Sequence, residues 1–348
     1  MDSLTLLLKD LPVLLWLVLA ALVLVGLLAA LLLRELYLLK KVQVCEEASL
    51  GRDAAGGGKA GDGDISLPMF SPREQQLWEA LGEALAARQE SPFFTLYVQP
   101  VYRLGDGRLL GGEALIRWEH AELGPISPGE FIPVAEMTGQ ILQLDRLVLA
   151  EVIESLSQAP RELVGALRLS VNASIQHFYS VSLVHYIREL CDRHGVPISC
   201  LELEVTEHAS CDDLERIQAS MRLVRSYGMG LALDDFGTGY TSLRFLQSLP
   251  FDKVKLDRSY VSRIDHDQQT RRLLSCLVEM AHTLEMRCVA EGIERREELE
   301  QLRRMGCDAA QGYMLGRPMP WAEFIALAER SLLINGEPLR DPLKAMAR

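Results

Sequence analysis

Leu231-Ala232-Leu233-Asp234-Asp235-Phe236-Gly237-Thr238-Gly239 is a short apolar run that ends on two adjacent carboxylates and a glycine turn. Other segments repeat this layout. Gly111-Gly112-Glu113-Ala114-Leu115-Ile116-Arg117-Trp118 carries Glu113, Leu169-Ser170-Val171-Asn172 ends on Asn172, and Leu201-Glu202-Leu203-Glu204-Val205-Thr206-Glu207 carries Glu204. Cys288-Val289-Ala290-Glu291-Gly292-Ile293-Glu294 follows later, with Val254-Lys255-Leu256-Asp257 ahead of it. Short apolar runs bounded by turn residues read as buried strands. A carboxylate at the end of a buried strand is costly unless something pairs with it. Several such groups converging on one point would suit hard divalent cations, which bind through oxygen.

Working outward, strand-like runs fall at 95–102, 109–118, 166–172, 201–206, 230–235, 253–257, 287–291 and 310–315. Stretches at 183–194, 214–227, 270–284 and 297–305 place apolar residues at three- and four-residue spacing, the mark of helices. Repeated strand–helix units point to a closed parallel (β/α)8 barrel of the TIM type, with a doubly wound open sheet as competitor. Length favours the barrel. So do the polar residues at the C-terminal ends of nearly all the strands, where barrel enzymes carry their chemistry. Leu104-Gly105-Asp106-Gly107-Arg108 leaves no room for a helix between the first two strands. One of those two must therefore run antiparallel to the other.

Residues 11–33 form an unbroken apolar run, long enough at roughly 35 Å to cross a hydrocarbon core as a helix. Nothing after it resembles a signal-peptide cleavage site. Arg34, Lys40 and Lys41 follow the run and only Lys9 precedes it. The positive-inside rule then puts the rest of the chain in the cytoplasm, on a single-pass inner-membrane anchor. Residues 45–70 are rich in glycine and poor in large apolar residues, and read as a flexible linker. Ser71-Pro72-Arg73-Glu74 is a helix-start pattern, so 71–90 is read as a connecting helix with Leu77, Trp78, Leu81 and Leu85 on one face. The barrel is placed over 92–330 and a C-terminal tail over 331–348. The net charge of −12 argues against a nucleic-acid polymer as partner, because that needs a basic face. Seven scattered cysteines, with no CxxC pair, suit a reducing compartment.

The segments GGEALIRW, SVNAS, ELEVTE, DDFGTGYTSL, VKLDRSYV, VAEGIE and QGYMLGRP occur in that order. Together they resemble the EAL domains, the cyclic-di-GMP phosphodiesterases, over about residues 92–330. Glu113, Asn172, Glu204 and Asp234 are four oxygen ligands on four strands, and an adjacent pair such as Asp234 and Asp235 can serve two metals. The resemblance implies two Mg2+ or Mn2+ ions. It assigns Glu113, Asn172, Glu204 and Asp234 to the first, and Asp234, Asp235 and Glu291 to the second. It places Lys255 in the active site as a cation for a nucleophilic water or a phosphate oxygen, and Arg117 on the substrate. Gln99 and Gln311 are further expected substrate contacts. Glu291 or Asp235 is expected to help deprotonate the water. Glu207 is expected to hold the 237–242 loop, and Glu294 to be a second supporting carboxylate.

The departures from the family are small. Arg295 stands where Thr is commoner, Thr241 where Ser is commoner, and Tyr97-Val98-Gln99 replaces a more usual Tyr-Tyr-Gln or Tyr-Gln. The expected function is a membrane-anchored phosphodiesterase that opens cyclic-di-GMP to linear pGpG. The alternative is a catalytically inactive cyclic-di-GMP-binding effector of the same fold. The expected partners are cyclic-di-GMP, a membrane crossed once, and a second copy of the chain meeting it through the barrel.

Overall fold

A computed structural model describes residues 70–87, 93–206, 213–237 and 243–333. The apolar run at 11–33, the linker, Glu207 and nearly all of the tail lie outside the described residues. No described helix is long and apolar enough to cross a membrane.

The strands are β1 (Phe94–Arg103), β2 (Leu109–His120), β3 (Gly124–Ile126), β4 (Arg168–Asn172), β5 (Leu201–Thr206), β6 (Gly230–Phe236), β7 (Lys253–Leu256), β8 (Arg287–Ala290), β9 (Ala309–Ala310) and β10 (Met319–Pro320). The helices are α1 (Pro72–Ala86), α2 (Pro128–Thr138), α3 (Ile141–Gln158), α4 (Arg161–Val164), α5 (Ser182–His194), α6 (Leu214–Ser226), α7 (Leu243–Ser248), α8 (Arg258–Val261), α9 (Gln268–Thr283), α10 (Arg296–Arg304) and α11 (Trp321–Leu333). Eight strands close a ring in the order β1-β2-β4-β5-β6-β7-β8-β9, and β9 pairs back to β1. β3 and β10 are short additions, on β2 and β1 respectively.

The antiparallel strand is β1. It runs against both β2 and β9, and every other pairing in the ring is parallel. A tight turn forces this: the Gly107 amide donates to the Arg103 carbonyl at 2.9 Å and the Arg103 amide to Arg108 at 2.8 Å. The register sets Gln99 opposite Glu113. Side chains alternate across each strand. On β2, Trp118 faces outward and meets Phe131 of α2 edge-on at 5.4 Å. Glu113, an odd number of residues away, therefore faces inward. Gly111 lets β2 approach β4: a Cβ there would lie 1.7 Å from the Arg168 carbonyl oxygen.

α1 starts as its sequence expects. The Ser71 hydroxyl accepts from the Glu74 amide at 3.3 Å, and the Glu74 carboxylate accepts from the Ser71 amide at 2.7 Å. Leu77 and Leu81 are buried, and Trp78 and Leu85 pack against the same core.

Two expectations are corrected. Residues 310–315 form no strand of that length; β9 is two residues, followed by turns. The hydrogen bonds of this segment go elsewhere: Ile293 donates to the Gln311 carbonyl at 3.2 Å, and Met314 donates to the Ile293 carbonyl at 3.0 Å. Helices α2, α3 and α11 and the short α4, α7 and α8 add to the five expected. Pro133 lies inside α2 and blurs its pattern. α3 buries Ile141, Leu144, Val148, Val152 and Leu156 at three- and four-residue spacing, a stripe the sequence carries and the strand–helix count passed over.

Candidate active site

The inward side chains of the barrel form two charged layers. Near the N-terminal ends of the strands, the Lys253 ammonium lies 2.7 Å from the buried Glu202, which also accepts from Ser170 at 2.9 Å. The Arg168 guanidinium lies 3.9 Å from the other oxygen of Glu202, so in this layer two bases face one acid. Two residues further along the same strands, the pattern changes. The Lys255 ammonium lies 2.6 Å from Glu204, 2.7 Å from Glu291, 3.0 Å from Asp234 and 3.3 Å from Glu113. Here four carboxylates face one base. An ammonium has three N–H donors and cannot satisfy four carboxylates at once. Among the described residues, Glu291 Oε1 is accordingly buried without a hydrogen-bond partner, despite its closeness to Lys255.

Lys255 does not pair with Asp257. The Asp257 carboxylate instead caps α8, accepting the Ser259 amide at 2.9 Å.

Around this centre the amides hold Glu113. The Gln311 side-chain amide donates to Glu113 at 2.7 Å and to the Gln99 carbonyl oxygen at 2.9 Å. Gln99 donates in turn to the Gly316 carbonyl at 3.0 Å. Asn172, beside Glu204 in the β4–β5 register, donates to Glu113 at 3.2 Å, which leaves its amide oxygen as the free acceptor. Of the two glutamines expected on substrate, Gln311 thus holds a carboxylate and Gln99 bridges Gln311 to a backbone carbonyl. Gln311 Oε1 remains buried without a hydrogen-bond partner among the described residues.

Adjacent strand residues point to opposite faces, yet Asp234 and Asp235 both reach the mouth. The cause is Asp235 itself, which adopts φ +54°, and the β6–β7 register shifts between Leu233 and Phe236. Aspartate tolerates this left-handed region better than most residues. Gly237 follows at φ +97°, and the Tyr260 hydroxyl donates to its carbonyl. One carboxylate oxygen each from Glu113, Glu204 and Asp234 lies within 4.8 Å of the others, and the same holds for Asp234, Asp235 and Glu291.

Arg117 lies on the inward face of β2 but apart from the acidic centre. Its guanidinium is 5.6 Å from the centroid of the Tyr97 ring and donates to the Ile116 carbonyl at 3.2 Å. Glu294 pairs with Arg258 at 2.9 Å. Both line a cavity of about 260 Å3 at the mouth, together with Glu113, Glu291, Gln311 and Tyr313.

Sequence reasoning missed Tyr260, Arg258 and Tyr313. The first two stand in the VKLDRSYV segment and the third in QGYMLGRP, but a side chain that supports a turn has no signature of its own. It also missed the buried Asp145. From α3, this carboxylate accepts the Ser174 amide at 2.8 Å, two residues past Asn172, and lies 3.2 Å from His177.

Burial pushes the Glu204 carboxyl well above the usual range, with Lys255 opposing and Glu113 and Asp234 reinforcing the shift. Burial likewise raises Glu291 to about 8, against the pull of Lys255. Burial would lower the Lys255 ammonium, but the surrounding carboxylates outweigh it and hold its pKa well above the ordinary value. Raised acids around one base, with an orphaned buried oxygen, are the signs of a site short of positive charge. The donors are all oxygens, the set that suits Mg2+ or Mn2+. The residues present fit divalent cations.

The sequence matches the EAL domain family over residues 78–318. It is 37% identical over 263 residues to the bifunctional diguanylate cyclase/cyclic di-GMP phosphodiesterase MucR of Pseudomonas aeruginosa, covering 76% of this chain and 38% of that protein. It is 36% identical over 256 residues to the cyclic di-GMP phosphodiesterase NbdA of the same organism, covering 74% of this chain and 32% of that one. The chain thus spans well under half the length of these two curated relatives. The barrel resembles the solved MucR phosphodiesterase in complex with c-di-GMP, with a TM-score of 0.63 and 36% identity over 70% of this chain and 98% of that one. An eight-stranded ring closed by one antiparallel strand, an acidic centre built on its strand ends, and a family match over most of the length lead to one conclusion: this chain belongs to the EAL domain family.

Proposed function

We propose that this chain is a metal-dependent phosphodiesterase that opens cyclic-di-GMP to linear pGpG. The observation that carries the reading is the surplus of carboxylates around Lys255, set against the layer below, where Lys253 and Arg168 both face Glu202. Glu113, Asn172, Glu204 and Asp234 would hold one Mg2+ or Mn2+ ion, and Asp234, Asp235 and Glu291 a second. When bound, such ions acidify water and neutralise the charge of a phosphodiester.

The chain's own residues do the rest. Gln311 and Asn172 hold Glu113 in place, and the Tyr260–Gly237 contact holds the turn that brings Asp235 to the mouth. Lys255 supplies a fixed positive charge where the attacked phosphate becomes more negative, which is worth most in a buried site. Glu291 and Asp235 stand at the mouth as carboxylates able to take the proton of the attacking water. The mouth cavity takes the scissile phosphodiester, and the bases lie over the strand ends with Arg117 within reach of the far side.

We place the 11–33 run in the inner membrane as a single span, with 45–70 as a linker, 71–90 as a connecting helix, the 92–330 barrel in the cytoplasm and 331–348 as a tail. The apolar length and the Arg34/Lys40/Lys41 flank support this.

The test is turnover of cyclic-di-GMP by the purified chain with Mn2+, read as pGpG, beside alanine variants at Asn172, Glu204 and Asp234. The native chain should form pGpG and each variant should lose turnover while still unfolding cooperatively. Binding of cyclic-di-GMP without pGpG would make the protein an effector instead. Near-normal turnover in Glu204→Ala would remove that residue from the site.

A further inference from the structure

Glu291 and Lys255, 2.7 Å apart, come from neighbouring strands. Their separation depends on how the chain leaving β7 and the chain leaving β8 are held together. The backbone supplies one tie, from the Glu291 amide to the Leu256 carbonyl at 3.1 Å. After Glu291 the chain turns through Gly292 at φ +67° and reaches α10 at Arg295. Arg295 then turns back toward the β7 side. Its guanidinium donates to the Ser262 carbonyl at 2.8 Å, to both carboxylate oxygens of Asp265, one of them at 2.8 Å, and to His266 at 3.0 Å. On its own side it donates to Glu298 at 2.7 and 2.9 Å, and Glu298 accepts the Glu294 and Arg295 amides at 2.9 and 3.0 Å. The Asp265 and Glu298 side chains are 7% and 2% exposed.

Arginine is a poor choice for capping α10, since it has no acceptor for the helix amides. Only a planar, five-donor fork spans a carbonyl and two buried carboxylates from different segments.

We propose that Arg295 is a positioning residue: it ties the exit loop of β8, which carries Glu291, to the segment leaving β7, which carries Lys255. The proposal rests on the phosphodiesterase reading for what the mouth does. It does not rest on it for the geometry.

The test uses the full chain with Arg295→Thr and Arg295→Lys. Thr can cap α10 but cannot cross to Asp265. Lys keeps the charge but not the fork. Three quantities are read: Mn2+ titration of the metal-stripped protein, kcat and KM for cyclic-di-GMP, and the melting temperature. With Thr, kcat should fall about tenfold to a hundredfold, the cost of a small misplacement, and KM should stay within about threefold. One equivalent of Mn2+ should bind roughly tenfold more weakly, the usual loss when a group that orients metal ligands is removed. Lys should recover most of the melting temperature and little of the kcat. If Thr proves too unstable to measure, the Lys variant carries the test alone.

A fall in melting temperature with unchanged kcat and unchanged Mn2+ affinity would overturn the proposal, leaving Arg295 a structural clamp only. Full recovery of kcat by Lys would also overturn it, since charge without the fork would then suffice. A native chain that takes up Mn2+ but forms no pGpG would sink the phosphodiesterase reading, and the positioning role would then stand or fall on Mn2+ affinity.

Discussion

Lys255 carries the charge balance of the mouth. Four carboxylates lie within 3.3 Å of its ammonium, and its own side chain is 3% exposed. Removing one partner from a buried ionic cluster costs about 3–5 kcal/mol, because the remaining charges are left uncompensated. Lys255→Met should therefore destabilise the metal-free protein by about that amount, and Mn2+ should restore a large part of it. Urea unfolding with and without Mn2+ measures both. Equal unfolding curves for Met and native protein would mean that the carboxylates are neutralised in some other way.

Glu291 gives the pH dependence. Burial raises its folded-state pKa from 4.5 to about 8. The native state then holds a proton that the unfolded chain has released, so the group's stabilising contribution is complete below pH 4.5 and is lost as pH rises through about 8. Metal-free protein should lose stability across that window, and Glu291→Gln should flatten the loss. The same sign makes Mn2+ binding release protons within it, which calorimetry in buffers of different ionisation heat will register.

At the scale of elements, the strand exits matter more than the helices. β6 delivers both Asp234 and Asp235 only because its last turn bends into the left-handed region, held from α8 by Tyr260. β2 delivers Glu113 only because Gly111 allows it to lie close against β4. A methyl group at Gly111 would meet the Arg168 carbonyl at 1.7 Å, so one of the two strands must shift. Gly111→Ala should cost about 3 kcal/mol or more, in the range of overpacked sites. It should also weaken Mn2+ binding, because Glu113 stands two residues on. Unfolding midpoint and Mn2+ titration together would show this. A change in stability alone would mean that the shift is absorbed before Glu113.

For the molecule as a whole, the barrel closes through β1, which pairs antiparallel with both β2 and β9. The strand ends of β2 and of β4 to β8 open on one face, where Glu113, Glu204, Asp234, Asp235 and Glu291 gather. Net charge is −12. An acidic protein attracts an anionic dinucleotide only where bound cations reverse the local field. The proposed membrane placement belongs to this scale too. A reporter active only in the cytoplasm, fused after residue 348, should give full signal, and one active only in the periplasm should give none. The reverse pattern would contradict the placement and separate the barrel from an intracellular substrate.

What the sequence determined by itself was whatever depends on local pattern. Apolar runs ending in acids marked the strands, the five-residue turn after β1 required an antiparallel pair, and Ser71 and Glu74 announced the start of α1. The acids at the strand ends were legible for the same reason, since each sits next to an apolar run that demands an explanation for it. Tertiary structure decided what depends on distance between strands. It set four carboxylates on Lys255 and gave Lys253 a single one, although the two lysines stand two residues apart on one strand. It turned Gln311 onto Glu113 and Gln99, shortened β9 by diverting its hydrogen bonds to the β8 exit loop, and joined that loop to the segment after α8 through Arg295. These contacts link residues far apart in the chain, Gln99 with Gln311 or Arg295 with Asp265. No local periodicity records them, because they exist only once the ring has closed.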